Sequence, residues 1–201
     1  MDIKSKKKRW IEIFYLLMLL MLSEGSMAEI TVPEKVYHHE NDFLSSFSIG
    51  MPNNKEEFYF LVKKADEGNS EANWMVAIIY DQSDDDKEAK KYYQRSIGRK
   101  DDYMGRSAVN LGYLYSKNGN IKKAMILFQQ AGEAGYYGGF EALGTEYFVG
   151  DRITYDYEKA KFYYAKAAKL GCIKCQHLID NWNDAVKLKQ KDLKIKENMQ
   201  E

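Results

Sequence analysis

The chain lacks the motifs by which many hydrolases, nucleotide-binding proteins and metalloproteases are recognised. It contains no G-x-S-x-G, no Walker loop and no H-E-x-x-H. It has 3 histidines, and the adjacent pair His38 and His39 has only the distant His177 as a further partner. A zinc site needs three or four converging ligands, so we expect no metal and no other cofactor. No carboxylate stands in an apolar setting that would tune it as an acid or base, and we predict that the protein is not an enzyme.

The chain also lacks an excess of charge of either sign. It has 30 basic and 30 acidic residues, and the balance stays close to neutral without residues 1–28. This composition does not show the basic footprint of a nucleic-acid-binding protein. Two charged blocks, the acidic DQSDDDKE at 81–88 and the basic KLKQKDLKIKE at 187–197, are interpreted as a solvated loop and a solvated helix tail.

Long apolar runs are absent as well. The run IFYLLMLLML at 13–22 follows a basic segment and precedes small residues at Ser26 and Ala28. A run of this length is too short to span a bilayer comfortably, and the pattern is that of a secretory signal peptide cleaved after Ala28. We therefore expect export, to a bacterial periplasm. An uncleaved anchor is the alternative, because Trp10 and Ile11 could lengthen the run, whereas a lipoprotein anchor lacks its cysteine.

What the chain does contain is a repeat. Three segments, 75–100, 110–135 and 142–171, align with one another. The aligned positions are a branched apolar residue (Val76, Leu111, Leu143), a small residue (Ala77, Gly112, Gly144), a tyrosine (Tyr80, Tyr115, Tyr147), an alanine (Ala89, Ala124, Ala160) and then a bulky pair (Tyr92–Tyr93, Leu127–Phe128, Tyr163–Tyr164). Self-similarity at this period indicates a repeat architecture.

Each unit has the spacing of a helical hairpin. Apolar residues recur at three and four positions in two runs, which are separated by Gly-Asn, Gly-Asp or an Asp cluster. Asp85, Asn120 and Asp156 lie four residues before the aligned alanines and are predicted N-caps of the second helices. Gly135 and Gly171 are predicted to end those helices. A single hairpin cannot bury its apolar face, so the units must stack.

These residues resemble the Sel1-like repeat, a relative of the tetratricopeptide repeat. The third unit matches best, through Leu143–Gly144, Tyr147, Gly150, Asp156 and Tyr163–Tyr164, and its loop between the helices is longer. The resemblance implies an all-α, right-handed α-solenoid of stacked antiparallel helix hairpins. The expected organisation is a signal peptide at 1–28, an extended arm at 29–54, a solenoid at 55–188 with partial capping units at 56–72 and 175–182, and a charged helical tail at 189–201.

The resemblance to tetratricopeptide arrays also implies a partner-binding concave face, lined by the first helix of each unit. Counted from the aligned leucine, the positions two before and two, five and six after it are expected to line this face. They hold Trp74, Ile78, Asp81 and Gln82, then Val109, Tyr113, Ser116 and Lys117, then Glu141, Thr145, Phe148 and Val149, with His177 and Asn181 continuing the row. Trp74, Tyr113 and Phe148 are the expected anchors. The alternative is that Trp74 and Phe148 pack between neighbouring helices.

The cysteine pair has two interpretations. Cys172 and Cys175 form a C-x-x-C motif, which in an oxidising compartment could become a disulfide. A thioredoxin-like role needs a strand–helix–strand setting, and this pair instead opens the last partial unit. A packing cysteine, with or without a local structural disulfide, is the favoured interpretation.

The function that follows is binding of another protein. Small exported Sel1-like proteins resemble immunity proteins that neutralise an antibacterial effector, including lipase-type effectors delivered by type VI secretion. The alternatives are a periplasmic scaffold or adaptor for envelope complexes, and a thiol-active or hydrolytic protein like the cysteine-rich Sel1-like proteins. No nucleic acid is expected as a partner, and no stable membrane insertion is expected once the signal is removed.

Overall fold

The computed structural model describes residues 50–99 and 101–199. These residues form nine α-helices and no strand. The helices are α1 (Lys55–Asp66), α2 (Ser70–Gln82), α3 (Asp86–Ile97), α4 (Asp102–Lys117), α5 (Ile121–Glu133), α6 (Tyr137–Val149), α7 (Tyr157–Lys169), α8 (Ile173–Asp180) and α9 (Trp182–Asn198). The predicted signal peptide, most of the predicted arm and the last two residues lie outside the described part.

The helices form two rows. Sequential helices α1 to α8 pack on one another, and α2 also contacts α4, which in turn contacts α6. We call α2, α4, α6 and α8 the inner row, and α1, α3, α5 and α7 the outer row. Because α2 packs against α4, and α4 against α6, successive hairpins bury a continuous core. The predicted all-α repeat solenoid is confirmed.

The predicted caps are present at the second helix of each hairpin. The side chains of Asp85, Asn120 and Asp156 each accept a hydrogen bond from the backbone N–H three residues further on, at 3.2, 3.3 and 3.0 Å. These bonds satisfy amide donors that the first helical turn leaves without a partner. Gly135 and Gly171 follow α5 and α7 with φ of 93° and 95°, a conformation that glycine adopts without a Cβ penalty.

Removal of the Asn120 cap should have a moderate, local cost. Asn120→Ala is expected to lower the free energy of unfolding by about 1 kcal/mol, because the Lys123 amide loses its acceptor at the start of α5. Chemical denaturation of the two proteins measures the difference. Asn120→Asp is the matched control, because aspartate caps as well as asparagine does. An equal loss in both variants would show that the cap is not the cause.

The connection inside the third hairpin is longer than in the other two. Residues 83–85 and 118–120 join α2 to α3 and α4 to α5, whereas residues 150–156 join α6 to α7. Gly150 begins the longer loop with φ 73°, and the Asp156 amide donates to the Tyr147 carbonyl at 2.9 Å to close it. The longer loop predicted from the repeat alignment is therefore confirmed.

Small residues allow the close approach of the paired helices. A Cβ added to Gly112 would overlap the Phe128 ring, and one added to Gly144 would lie 2.9 Å from the Tyr164 ring. The aligned Ala77 is fully buried. In the second and third units, an aromatic ring of the outer helix therefore packs directly on the small residue of the inner helix. This contact gives the dense packing of a protein core.

The two ends of the array are atypical, as stacked repeats require. At the amino end, α1 buries Phe58, Leu61, Val62 and Ala65 against α2, while Phe60 is 59% exposed. At the carboxyl end, α8 is short, and α9 continues across the predicted boundary between solenoid and tail at residues 188 and 189. None of the described helices combines the length and apolar character that crossing a bilayer requires.

Candidate protein-interaction surface

The predicted concave-face residues fall into three groups by exposure. The exposed group is Gln82, Tyr113, Lys117, His177 and Asn181; the half-buried group is Ile78, Asp81, Glu141, Thr145, Phe148 and Val149; and the buried group is Trp74, Val109 and Ser116. The inner helices therefore do not expose all four predicted positions equally. The position two after the aligned leucine, held by Ile78, Tyr113 and Thr145, opens to the surface. The position two before it is buried in Trp74 and Val109 and half-buried in Glu141.

Trp74 is buried between two inner helices and does not reach the surface. Its side chain is 3% exposed, and its ring centroid lies 5.7 Å from that of Tyr103 in α4. The Arg106 guanidinium, also in α4, lies 5.9 Å from the Trp74 ring and 5.5 Å from the Tyr136 ring. The prediction that Trp74 is an exposed anchor is wrong, because its ring is buried between α2 and α4.

Phe148 likewise holds helices together. Its ring lies 5.6 Å from Tyr157, 6.4 Å from Tyr164 and 5.6 Å from Trp182. These contacts join α6 to α7 and α9, and edge-to-face arrangements of this kind add to the energy of burial. Phe148 is thus part of the aromatic cluster at the carboxyl end of the solenoid, and its half-buried side chain is a poor candidate for an independent anchor.

Val109 and Ser116 are also buried, and this corrects their place on the exposed face. They lie seven residues apart on α4, and thus on one side of the helix, with exposures of 7% and 4%. Ser116 donates to the carboxylate of Glu146 in α6 at 3.5 Å. Ser116 thus contacts the next inner helix, and the two buried residues contribute to the packing of the hairpins and offer little surface to a partner.

Tyr113 occupies the middle of the open face. Its side chain is 47% exposed, and one side of its ring packs on Phe128 at 5.0 Å. Desolvation raises the pKa of Tyr113 to about 12, and the carboxylates of Glu141 and Glu146 act in the same direction. The hydroxyl therefore stays protonated at neutral pH and can donate a hydrogen bond. A partly supported aromatic ring with a polar tip has the properties of an interface anchor.

Asp81 provides a carboxylate on the open face of α2. It is half-buried and accepts a hydrogen bond from the Tyr93 hydroxyl at 3.2 Å. Desolvation raises the pKa of Asp81, although the hydrogen bond from Tyr93 and the nearby Lys117 oppose that effect. A cation from a partner would compensate this desolvation, so Asp81 can contribute to the selection of a partner.

Ion pairs occupy the edges of the open face. Lys117 contacts Asp84 at 3.0 Å and Asp86 at 3.4 Å, and so connects α4 to the loop and helix of the preceding hairpin. Glu141 in α6 pairs with Lys174 in α8 at 2.6 Å. Exposed pairs of this type contribute little to stability. They leave both signs of charge at the rim, where charges affect the rate and specificity of association.

Glu146 and Arg152 belong to this region but were not predicted from the sequence. Glu146 is 5% exposed, and its carboxylate contacts Ser116 and the Arg152 guanidinium, the latter at 3.4 Å. The pair joins α4, α6 and the longer loop of the third hairpin. The helix α6 contains two glutamates, Glu141 and Glu146, and only the fold determined which of them is buried and which partners it has.

The cysteine pair forms a disulfide at the start of α8. Cys172 and Cys175 are bonded to each other, both are 2% exposed, and the Cys172 sulfur accepts from the Cys175 amide at 3.2 Å. One Glu141 oxygen and the two sulfurs lie within 4.8 Å of one another. Bonded sulfurs are not thiolates, which a metal would need as ligands. The pair belongs to the same buried core as Tyr164 and Trp182.

The disulfide is expected to stabilise the carboxyl end without taking part in partner binding. Replacing both cysteines by serine should lower the free energy of unfolding by about 2 kcal/mol. The loss is modest because a bond that closes a short loop stabilises less than one that closes a long loop. Thermal unfolding measures that loss, and partner affinity should stay near that of the parent. Loss of an activity in a variant that still folds would instead indicate a thiol-active protein.

Comparison with known proteins places two kinds of repeat on this geometry. The family model for the Sel1 repeat matches residues 141–172, and the family model for the tetratricopeptide repeat matches residues 70–103 and 105–133. The Sel1 match covers the hairpin with the longer loop, and the tetratricopeptide matches cover the two hairpins with short loops. No curated protein sequence matches the chain.

Solved structures with similarity to the chain include two bacterial proteins. A Sel1 repeat protein from Oxalobacter formigenes is 23% identical, with a TM-score of 0.48 over 64% of this chain and all of that one. The protein c5321, a protective antigen of uropathogenic Escherichia coli strains that displays an SLR fold, is 23% identical, with a TM-score of 0.31 over 59% of this chain. The match spans 34% of the length of c5321.

Proposed function

Because the chain is a Sel1-like repeat protein, we propose that it is a non-enzymatic module that binds a partner protein through the open face of its inner helices. Repeats of the Sel1 and tetratricopeptide types form protein–protein interaction modules and are typically non-catalytic. The observation that carries the proposal is the placement of Tyr113, an exposed ring packed on Phe128 at the centre of this face.

The composition of the open face fits a protein partner. Ile78 and Tyr113 supply apolar and aromatic contact area, and Thr145 shares a hydrogen bond with the Tyr164 hydroxyl at 3.0 Å, which holds its side chain in place. Asp81 and Lys117 add charges of opposite sign to this face, and Glu141 is near enough to act on the Tyr113 hydroxyl. An aromatic centre with a charged rim is the usual arrangement of a protein–protein interface.

The place of action we propose is the bacterial periplasm, reached through the signal peptide at 1–28. The basic segment, the short apolar run and the small residues before position 29 support export. The bonded cysteines also support an oxidising compartment, because disulfides are rare in reducing ones. Mass spectrometry of the protein recovered from the native periplasm should give an amino terminus at Glu29.

We propose that the partner is a secreted antibacterial effector, which the protein neutralises as an immunity protein. The narrower form of this proposal is an effector with lipase-type activity. Export and the solenoid architecture support this role, since an immunity protein must meet its effector in the compartment that the effector enters. A rigid face with an aromatic centre is suited to tight binding of a folded enzyme, because little conformational entropy is lost.

Affinity purification of the tagged full chain from its native periplasm tests the proposal. A secreted hydrolase as the dominant partner, with its toxicity suppressed when the two are produced together, would support the immunity role. An envelope-assembly component would identify a scaffold instead. Recovery of the chain in the cytoplasmic fraction, with its first 28 residues intact, would contradict export. Tyr113→Ala serves as the internal control, because it should reduce recovery of any partner held by the open face.

A further inference from the structure

An apolar groove lies on the side of the solenoid opposite to the open inner face. It runs between the outer helices α3 and α5 and has a volume of about 300 Å³. Its walls are formed by Ile97 from α3 and Leu127 from α5, and its floor by Leu111 and Tyr115 from α4. This volume is at the lower end of the range for small-molecule sites.

Two lysines approach the ring of Tyr115, which lines this groove, and one of them, Lys123, lines the groove as well. The Lys90 ammonium of α3 lies 5.2 Å from the ring centroid, and the Lys123 ammonium of α5 lies 5.1 Å from it. Neither lysine forms an ion pair within residues 50–99 and 101–199. The groove therefore combines an apolar channel with Lys123 in its lining and Lys90 beside the lining residue Tyr115, and neither cation is neutralised by a carboxylate of the described chain.

An exposed apolar side chain lies at the edge of the groove. Ile126 lines the groove and is 58% exposed. Phe162 holds the same repeat position in α7 and is 56% exposed, but it lies outside the groove lining. Ile126 and Phe162 therefore have similar exposure and the same repeat position, but only Ile126 lines the groove.

We propose that this groove binds an anionic amphiphile, namely a single alkyl chain with a carboxylate headgroup. The alkyl chain lies along Ile97, Leu111, Ile126 and Leu127, and the carboxylate meets Lys90 and Lys123 at Tyr115. A methylene group takes roughly the volume of a water molecule, ~30 Å³, so the groove holds a chain of about ten carbons. The paired cations select the anionic headgroup, and burial of the chain supplies the affinity.

This site is independent of the proposed partner-binding function. The groove is made by α3, α5 and the outward side of α4, whereas Tyr113 and Asp81 lie on the open face of the inner row. The binding of a partner can therefore fail in a variant of one face while the other site stays intact, and the two proposals can be tested separately.

Titration of the full chain with dodecanoate, below its micelle concentration, tests the proposal. Methyl groups of isoleucine and leucine are followed by NMR, so that binding at the groove is separated from binding anywhere else. Saturable shifts are expected for the methyls of Ile97, Leu111, Ile126 and Leu127. Dodecyltrimethylammonium, with a similar alkyl chain and a cationic headgroup, should bind at least tenfold more weakly if the lysines select the headgroup.

Variants with matched controls complete the test. Ile126→Asp should abolish the saturable shifts at Ile97 and Leu127, whereas Phe162→Asp should leave them unchanged. Lys90→Gln combined with Lys123→Gln should weaken dodecanoate binding roughly fivefold, while Lys122→Gln, on the same helix but outside the groove, should not. Shifts that are absent, or that are equal for the two amphiphiles, would overturn the proposal. So would binding that Ile126→Asp and Phe162→Asp reduce equally.

Discussion

Replacing Gly139 by alanine is expected to lower the free energy of unfolding by about 3 kcal/mol, the largest loss that we predict for adding a single methyl group. Gly139 lies on α6 against the backbone of α5, and an added Cβ would overlap both the Phe128 carbonyl oxygen and the Gly132 amide nitrogen. A flexible side chain could move aside, but backbone atoms within a helix cannot do so alone. The second and third hairpins would therefore have to separate.

The measurement is chemical denaturation, with thermal unfolding as a second probe. For a chain of this size, a loss of about 3 kcal/mol corresponds to a fall in Tm of roughly 6 to 12 °C. Gly98→Ala is the control, because the nearest atom to its added Cβ is the Arg95 carbonyl oxygen at 3.6 Å and its φ is −64°. That variant should change stability by about 0.5 kcal/mol at most. Equal effects of the two variants would show that α5 and α6 are less closely packed than described.

Truncating Tyr113 is expected to have the largest effect on partner binding. Tyr113→Ala should weaken binding by about 2 kcal/mol, or roughly thirtyfold, because it removes the central exposed ring of the open face. Since the side chain is 47% exposed, the variant should still fold, which circular dichroism can check. Isothermal titration with the purified partner measures the affinity, and the change should appear mainly in the dissociation rate.

The outer face provides the matched control for Tyr113. Phe162 is 56% exposed on α7, so Phe162→Ala removes a comparable aromatic surface from the opposite side of the solenoid. It should leave partner affinity unchanged. If Tyr113→Ala binds like the parent while substitutions at 83–85 or 150–155 abolish binding, then the loops that connect inner and outer helices form the binding surface.

The hairpins could be predicted from the sequence because their causes are local. An N-cap such as Asn120 depends on a side chain reaching an amide three residues away, and the longer loop before Asp156 follows directly from the spacing of aligned residues. Likewise, the small position at Gly112 indicated close packing before its neighbour, the Phe128 ring, was known. Such features need only the repeat alignment and the geometry of a helix.

The exposure of the inner-helix residues could not be predicted in this way. Trp74 and Tyr113 both belong to the predicted concave row, yet one is 3% and the other 47% exposed. The two positions lie four residues apart in the repeat, and so on the same side of the helix. The Trp74 ring is covered by Tyr103 of the next inner helix. The Tyr113 ring packs on Phe128 of its own hairpin and keeps nearly half of its surface exposed. Helical periodicity identifies the side, but only the stacking of successive hairpins determines which residues on it are covered.

By itself, the sequence determined the repeat, its helices, their caps and the loop lengths, because each of these depends on residues within one hairpin. The tertiary structure decided which aromatic rings stay at the surface, the contact of Glu146 with Ser116 and Arg152, and the groove where Lys90 and Lys123 meet Tyr115. These features join residues of different hairpins or of helices far apart in the chain. Their geometry depends on the distance and angle between stacked units, which no local spacing in the sequence specifies.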